Sequence, residues 1–312
     1  MNRAVLGLAL WLCGALLRAG TVEISFLEDA TAVQDTTEFL RAQGCRSDAI
    51  AAFRQAVLRY REHPLELDRT EFPTRKMGFY SFASASNLVA ALTHPLYDSA
   101  HPYELNCFDS AILLTKDLLH VRVQPDELAG PFLPAFTWTN HLTYWYVAAT
   151  ARDAFSDTYP SWYTDVTKDI MGASTNETRM CLVTAFDCWH VLPGSGSDGS
   201  VGNGLLKVLQ HDWEKQRLIF PTNIEVVLCH QLSPSEGRAV TEHAGLLFHD
   251  RKHYVYIEKA GGSGPFVRLD FNDLAELPTW LAAPHAGETN TTNQYFATFN
   301  DKRIEVLKVR FK

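Results

Sequence analysis

At Pro221 the spacing of apolar residues changes from every third or fourth position to every second one, and that switch fixes what the chain can build. Downstream of it, "NIEVVLCHQL", "EHAGLLFHDRKHYVYIEKAGG", "PFVRLDF" and "RIEVLKVRF" read as strands. Upstream, "TAVQDTTEFLRAQG" and "SDAIAAFRQAVLRYREH" carry helical spacing. Ile50, Phe53, Val57 and Tyr60 share one stripe of the second, and Gly44 ends the first. "NCFDSAILLTKDLLHV" predicts a buried helix with Phe108, Ala111, Ile112, Thr115 and Leu119 on one face. "NDLAELPTWLAA" predicts a short helix capped by Asn272. Helices followed by a mostly antiparallel sheet is an α+β layout, with a helical part over about 21–220 and a sheet part over about 221–312 of a single domain.

The chain's 46% hydrophobic content over 312 residues is ample for a core and excludes a disordered chain. Its net charge of −8, with no basic stripe to offset it, excludes nucleic acid as a partner. Residues 1–20 stand apart: "MNR", then the apolar run Ala4 to Leu17, then "RAG", the layout of a secretory signal peptide. The run is too short for a stable membrane span, which needs about 20 residues. Cys13 raises lipid attachment as an alternative. Leu10, Trp11 and Leu12 before it weigh against that, because a lipoprotein signal places small residues there. The expectation is an exported protein. Export permits disulfides, and Cys45, Cys181, Cys188 and Cys229 could pair in three ways or remain buried thiols.

Chemistry concentrates in the hairpin around Asp250 and Arg251. Strand alternation puts His243, Gly245, Leu247, Tyr254, Tyr256 and Glu258 on one face, and Ala244, Leu246, Phe248, Val255 and Ile257 on the other, core face. A loop centred on Asp250 and Arg251 sets His243 directly opposite Glu258, and Gly245 leaves room above the sheet for an approaching group. A histidine oriented by a carboxylate calls for a nucleophile. Cys107 fits, at the start of its helix, where the helix N-terminus and a neighbouring imidazolium favour thiolate. His243 is then base and acid, Glu258 the orienting group, and helix-start amides the oxyanion donors. Tyr103 or Asn106 could add a further donor.

"NCFDSAILLTKDLL" followed far downstream by "EHAGLLFHDRKHYVYIEKAG" resembles the core of papain-like cysteine hydrolases, including the NlpC-type cell-wall peptidases. More closely, from about residue 25 onward, "NCF", "HAGLLF", "YVYIEKAG", "PFVRLDFNDLAEL" and "FATFNDKRIEVLKV" resemble a bacterial exported family of unknown function, often lipoproteins. The resemblance implies a papain-like fold, with the nucleophile helix packed on the sheet, and a catalytic set of Cys107, His243 and Glu258. Papain's glutamine and Cys-Trp context are absent, and Glu258 stands where papain has asparagine. The substrate class therefore does not carry over; peptide, peptidoglycan and acyl-type substrates stay open.

Other chemistries have weaker signals. No H-E-x-x-H or paired C-x-x-C is present, so neither a metal nor another cofactor is expected. Cys188 with His190, and Cys229 with His230, read as core or edge residues rather than ligands. "GSGSDG" is not a nucleophile elbow, and no phosphate-binding glycine motif occurs. Trp138, Tyr144, Trp145, Tyr146, Tyr159, Trp162 and Tyr163 could line a cleft or fill a core. The expected function is amide or ester hydrolysis through a thioester. The alternatives are acyl transfer at the same site and a non-catalytic envelope binding protein.

Overall fold

The computed structural model describes residues 21–61, 68–92, 105, 107–119, 189–191, 218–233, 238–250, 253–260, 264–283, 294–300 and 302–304, with parts of 204–214. The leader with Cys13, the aromatic stretch, Cys181, Cys188, Tyr103 and Asn106 lie outside the described residues.

The architecture is mixed helix and sheet, α+β, with every described strand pairing antiparallel. Among the described residues nine strands form one sheet: β1 (Val22–Ser25), β2 (Tyr80–Phe82), β3 (Trp189–Val191), β4 (Ile224–Ser233), β5 (Arg238–Asp250), β6 (His253–Lys259), β7 (Phe266–Phe271), β8 (Gln294–Phe299) and β9 (Lys302–Ile304). Their order is β2-β1-β7-β6-β5-β4-β8-β9, with β3 on β5. The sheet is thus not purely C-terminal. Three short strands from the first two-thirds of the chain join it, and β1 pairs with both β2 and β7.

Among the described residues, the helices α1 (Ala30–Ala42), α2 (Ser47–Tyr60), α3 (Ala85–Ala91), α4 (Cys107–Thr115) and α5 (Glu276–Ala282) pack on this sheet. Asp29 caps α1 by accepting the Thr31 N–H at 2.7 Å, and Gly44 leaves it at φ 92°, a left-handed turn glycine tolerates. Asn272 does not cap α5; Asp273 instead accepts the Ala275 N–H at 3.0 Å, an Asx turn one residue later in the chain.

Both faces of the sheet are covered, which is why all six residues of β7 are buried. Against one face lie α1, α2 and α4, whose Leu40, Phe53, Val57 and Ile112 pack with Leu246, Phe248, Val255 and Ile257. Phe266 receives Phe53 and Tyr60 edge-on, at 5.4 and 5.9 Å between ring centres. Against the other face lie α3 and α5, whose Leu88, Trp280 and Leu281 pack with Val227, Leu247, Tyr256 and Leu269. Glu276 of α5 accepts the Ala85 N–H of α3 at 2.7 Å, which ties the two short helices together. Leu247 and Tyr256, expected on the site face alone, are therefore also core.

Candidate active site

The hairpin register differs from the expected one by two residues. Asp250 pairs with His253, and Gly245 rather than His243 lies opposite Glu258. An even shift preserves which face each residue occupies, so His243 and Glu258 still share a side as diagonal neighbours. Their side chains span the diagonal: His243 Nε2 lies 2.5 Å from Glu258 Oε2.

On its other edge, β5 pairs with β4, and a bulge interrupts that ladder. Cys229 faces His243 while His230 faces Thr241, which leaves Glu242 as the extra residue. On the first edge, β6 accompanies β5 down to Gly245, and β3 resumes only at Val240. Among the described residues, His243 sits in the interval between these two ladders. The Cys107 thiol, which belongs to the core on the α4 side, lies close enough for its sulfur to raise the pKa of the imidazole. Because Nε2 is committed to Glu258, Nδ1 is the nitrogen left for sulfur.

Cys107 is the first residue of α4, where helix-start amide N–H groups have no partners within the helix. The site is closely packed: Cys107 and Glu258 are each 5% exposed, and the His243 side chain 17%. Burial disfavours a charged imidazole, but the Glu258 carboxylate, the Cys107 sulfur and the hydrogen bond to Glu258 outweigh it. The pKa of His243 is pushed up to about 10.

Two residues without an assigned role complete the carboxylate's surroundings. The Tyr256 hydroxyl donates to Glu258 Oε2 at 2.8 Å, and the Trp280 indole N–H donates to Oε1 at 2.7 Å. Burial, then the charge of Glu258, pushes the Tyr256 phenol well above its ordinary range, so it stays a donor. Strand alternation from Glu258 was enough to place Tyr256 on this face; nothing local in the sequence points to Trp280. The room over Gly245 is occupied: a Cβ there would lie 2.2 Å from the Tyr256 hydroxyl. Gly245 accommodates a phenol of its own sheet rather than an incoming group.

The remaining candidates sort plainly. His230 is a satisfied core histidine, with Thr241 Oγ1 at 3.1 Å, Thr298 Oγ1 at 3.0 Å and the Phe296 ring at 4.7 Å. Cys45, Cys107 and Cys229 are free thiols. Burial pushes Cys45 up to about 12; burial, followed by the charge of Glu258, pushes Cys229 well above its ordinary range. Among the described residues no group of three His, Cys, Asp or Glu side chains is placed to hold a metal ion, and no helix is long and apolar enough to cross a membrane. A cavity of about 660 Å³ lined by Trp213, Leu218, Phe220 and Glu225 borders none of the three site residues.

No known protein family, no curated protein and no solved structure matches this chain.

Proposed function

We propose that the chain is an exported cysteine hydrolase of papain-like organisation, cleaving an amide or ester bond through a thioester. The observation that carries the proposal is the contact of His243 Nε2 with Glu258 at 2.5 Å, beside a Cys107 sulfur near enough to raise the pKa of the same imidazole. Cys107 is the nucleophile, His243 the general base and acid, and Glu258 the group that orients the imidazole and stabilises its charged form.

In the reaction, the Cys107 sulfur attacks the carbonyl carbon, the C–S bond forms, and the carbonyl electron pair moves to oxygen. Amide N–H groups at the start of α4, that of Cys107 among them, are the proposed donors to that oxyanion. Collapse expels the amine or alcohol, which takes its proton from the His243 imidazolium. His243 then draws a proton from water, whose oxygen displaces sulfur and releases the acid. The same thioester delivered to an amine or hydroxyl acceptor makes the acyltransferase alternative. The proposed substrate is a peptide, a peptidoglycan fragment or another acyl compound.

A second reading, an envelope binding protein without catalysis, is favoured by the 5% exposure of Cys107, because reactive thiols are usually more open. Iodoacetamide alkylation of purified protein at neutral pH, read by peptide mass spectrometry, separates the two. The hydrolase reading expects Cys107 to label in the folded state, and more slowly in His243→Ala. Labelling only after unfolding, or at the same rate without His243, supports the binding protein and ends the hydrolase reading.

A further inference from the structure

We propose that Tyr256 and Trp280 are positioning residues of this site, clamping both oxygens of Glu258 so that the His243 ring is held toward Cys107. The inference rests on the reading of Cys107, His243 and Glu258 as a catalytic set.

Three donors converge on one carboxylate. His243 and Tyr256 share Oε2, at 2.5 and 2.8 Å, and Trp280 takes Oε1 at 2.7 Å. A carboxylate fastened at one oxygen can still rotate about its last bond; fastened at both, it presents a single face to the imidazole. The two clamps come from independent parts of the fold. Tyr256 stands two residues before Glu258 on the same face of β6, and its hydroxyl also lies 3.5 Å from His243 Nε2. Trp280 comes from α5, on the layer that covers this face, and α5 is itself anchored to α3 through Glu276.

Gly245 belongs to the same device. It is the cross-strand partner of Glu258, and the Tyr256 phenol crosses the space that a side chain at 245 would fill. Both clamps are nearly fully buried, Tyr256 at 0% and Trp280 at 3%, so water does not compete for the oxygens they hold. A tyrosine and a tryptophan chosen only for bulk would not need both polar hydrogens aimed at one carboxylate.

The test follows the His243 titration by NMR of protein labelled with ¹⁵N-histidine. It compares the wild type with Tyr256→Phe, Trp280→Phe and the double variant, and the signal is assigned by its loss in His243→Gln. In the wild type, titration near 10 is expected. Each phenylalanine variant frees one clamp, and the midpoint falls by about one pH unit, with a further fall in the double variant. Cys107 alkylation at neutral pH slows in parallel. A purely structural role predicts lower stability with the His243 midpoint unmoved; a folded variant with an unmoved or raised midpoint overturns the clamp and leaves the catalytic set standing. A wild-type His243 that titrates at the ordinary value of about 6.5, with Cys107 alkylation indifferent to it, overturns both readings. If Trp280→Phe fails to fold, Tyr256→Phe decides, because it removes one oxygen and keeps the ring.

Discussion

Replacing Gly245 with alanine asks whether the space over the hairpin is really filled by Tyr256. At an ordinary strand position this substitution is favourable by about 0.5–1 kcal/mol, because alanine loses less chain entropy on folding. At position 245 the new methyl would lie 2.2 Å from the Tyr256 hydroxyl and 2.5 and 2.6 Å from two ring carbons. Something must move. Tyr256 is 0% exposed, so its ring cannot swing into solvent without opening the core around it. If the phenol tilts aside, the bond to Glu258 Oε2 is lost, and a buried hydroxyl and carboxylate lose a charge-assisted contact worth about 1.5–3 kcal/mol. If it does not tilt, overpacking costs about 1–3 kcal/mol. The two routes are alternatives rather than a sum, so the net destabilisation is about 2 kcal/mol, opposite in sign to the ordinary case. Urea unfolding measures it as a lower midpoint at unchanged slope. In a Tyr256→Ala background the methyl no longer meets the phenol, and the cost of Gly245→Ala vanishes or reverses, a coupling that a double-mutant cycle isolates. A Gly245→Ala protein as stable as the wild type would refute the reasoning, since the phenol could not then occupy that space.

Three further outcomes follow from other parts of the fold. The pKa of His243 is higher folded than unfolded, so the stability it contributes is complete below about pH 6.5 and is lost as pH rises through about 10. The unfolding free energy from urea titrations across that window should fall in the wild type by an amount on the order of a few kcal/mol; His243→Gln should lack that component, and equal falls in both proteins would contradict the coupling. Cys45 and Cys229, with thiols raised by burial, should resist iodoacetamide at pH 8 until the protein unfolds, and early labelling of either would show that its surroundings are open. Arg268 holds Asp270 through two bonds, at 2.8 and 2.9 Å, and reaches Asp35 of α1 at 2.7 Å. Arg268→Ala takes both guanidinium bonds from the buried Asp270 carboxylate, which keeps His253 at 3.4 Å, and should cost about 3 kcal/mol in urea unfolding; a loss below 1 kcal/mol, typical of a surface pair, would mean the network is solvated.

Much of the candidate site could be located from local pattern. Alternation along the hairpin assigns His243 and Glu258 to one face for any turn of even length, because an even change of register leaves faces unchanged. The register itself was out of reach: "HDRKH" has no Asn-Gly or Asp-Gly to mark the turn, and pairing Asp250 with His253 slides His243 from opposite Glu258 to diagonal. Helices α1, α2 and α4 are legible for the same kind of reason, since their buried stripes recur within a few residues. Strands β1 and β2, four and three residues long, are not: neither has enough length to show a period, and each is stabilised only by partners far away in the chain.

What the sequence determined by itself is therefore the class of elements and the side on which each residue faces, because both depend on spacings within one segment. What only the tertiary structure decided is which of those residues meet. Cys107, on α4 far upstream in the chain, comes close enough to His243 of β5 for its sulfur to raise the pKa of the imidazole. Trp280 reaches Glu258 because α5 folds back over the second face. Both contacts join segments distant in the chain, and their geometry follows from how whole layers pack, which no local spacing encodes.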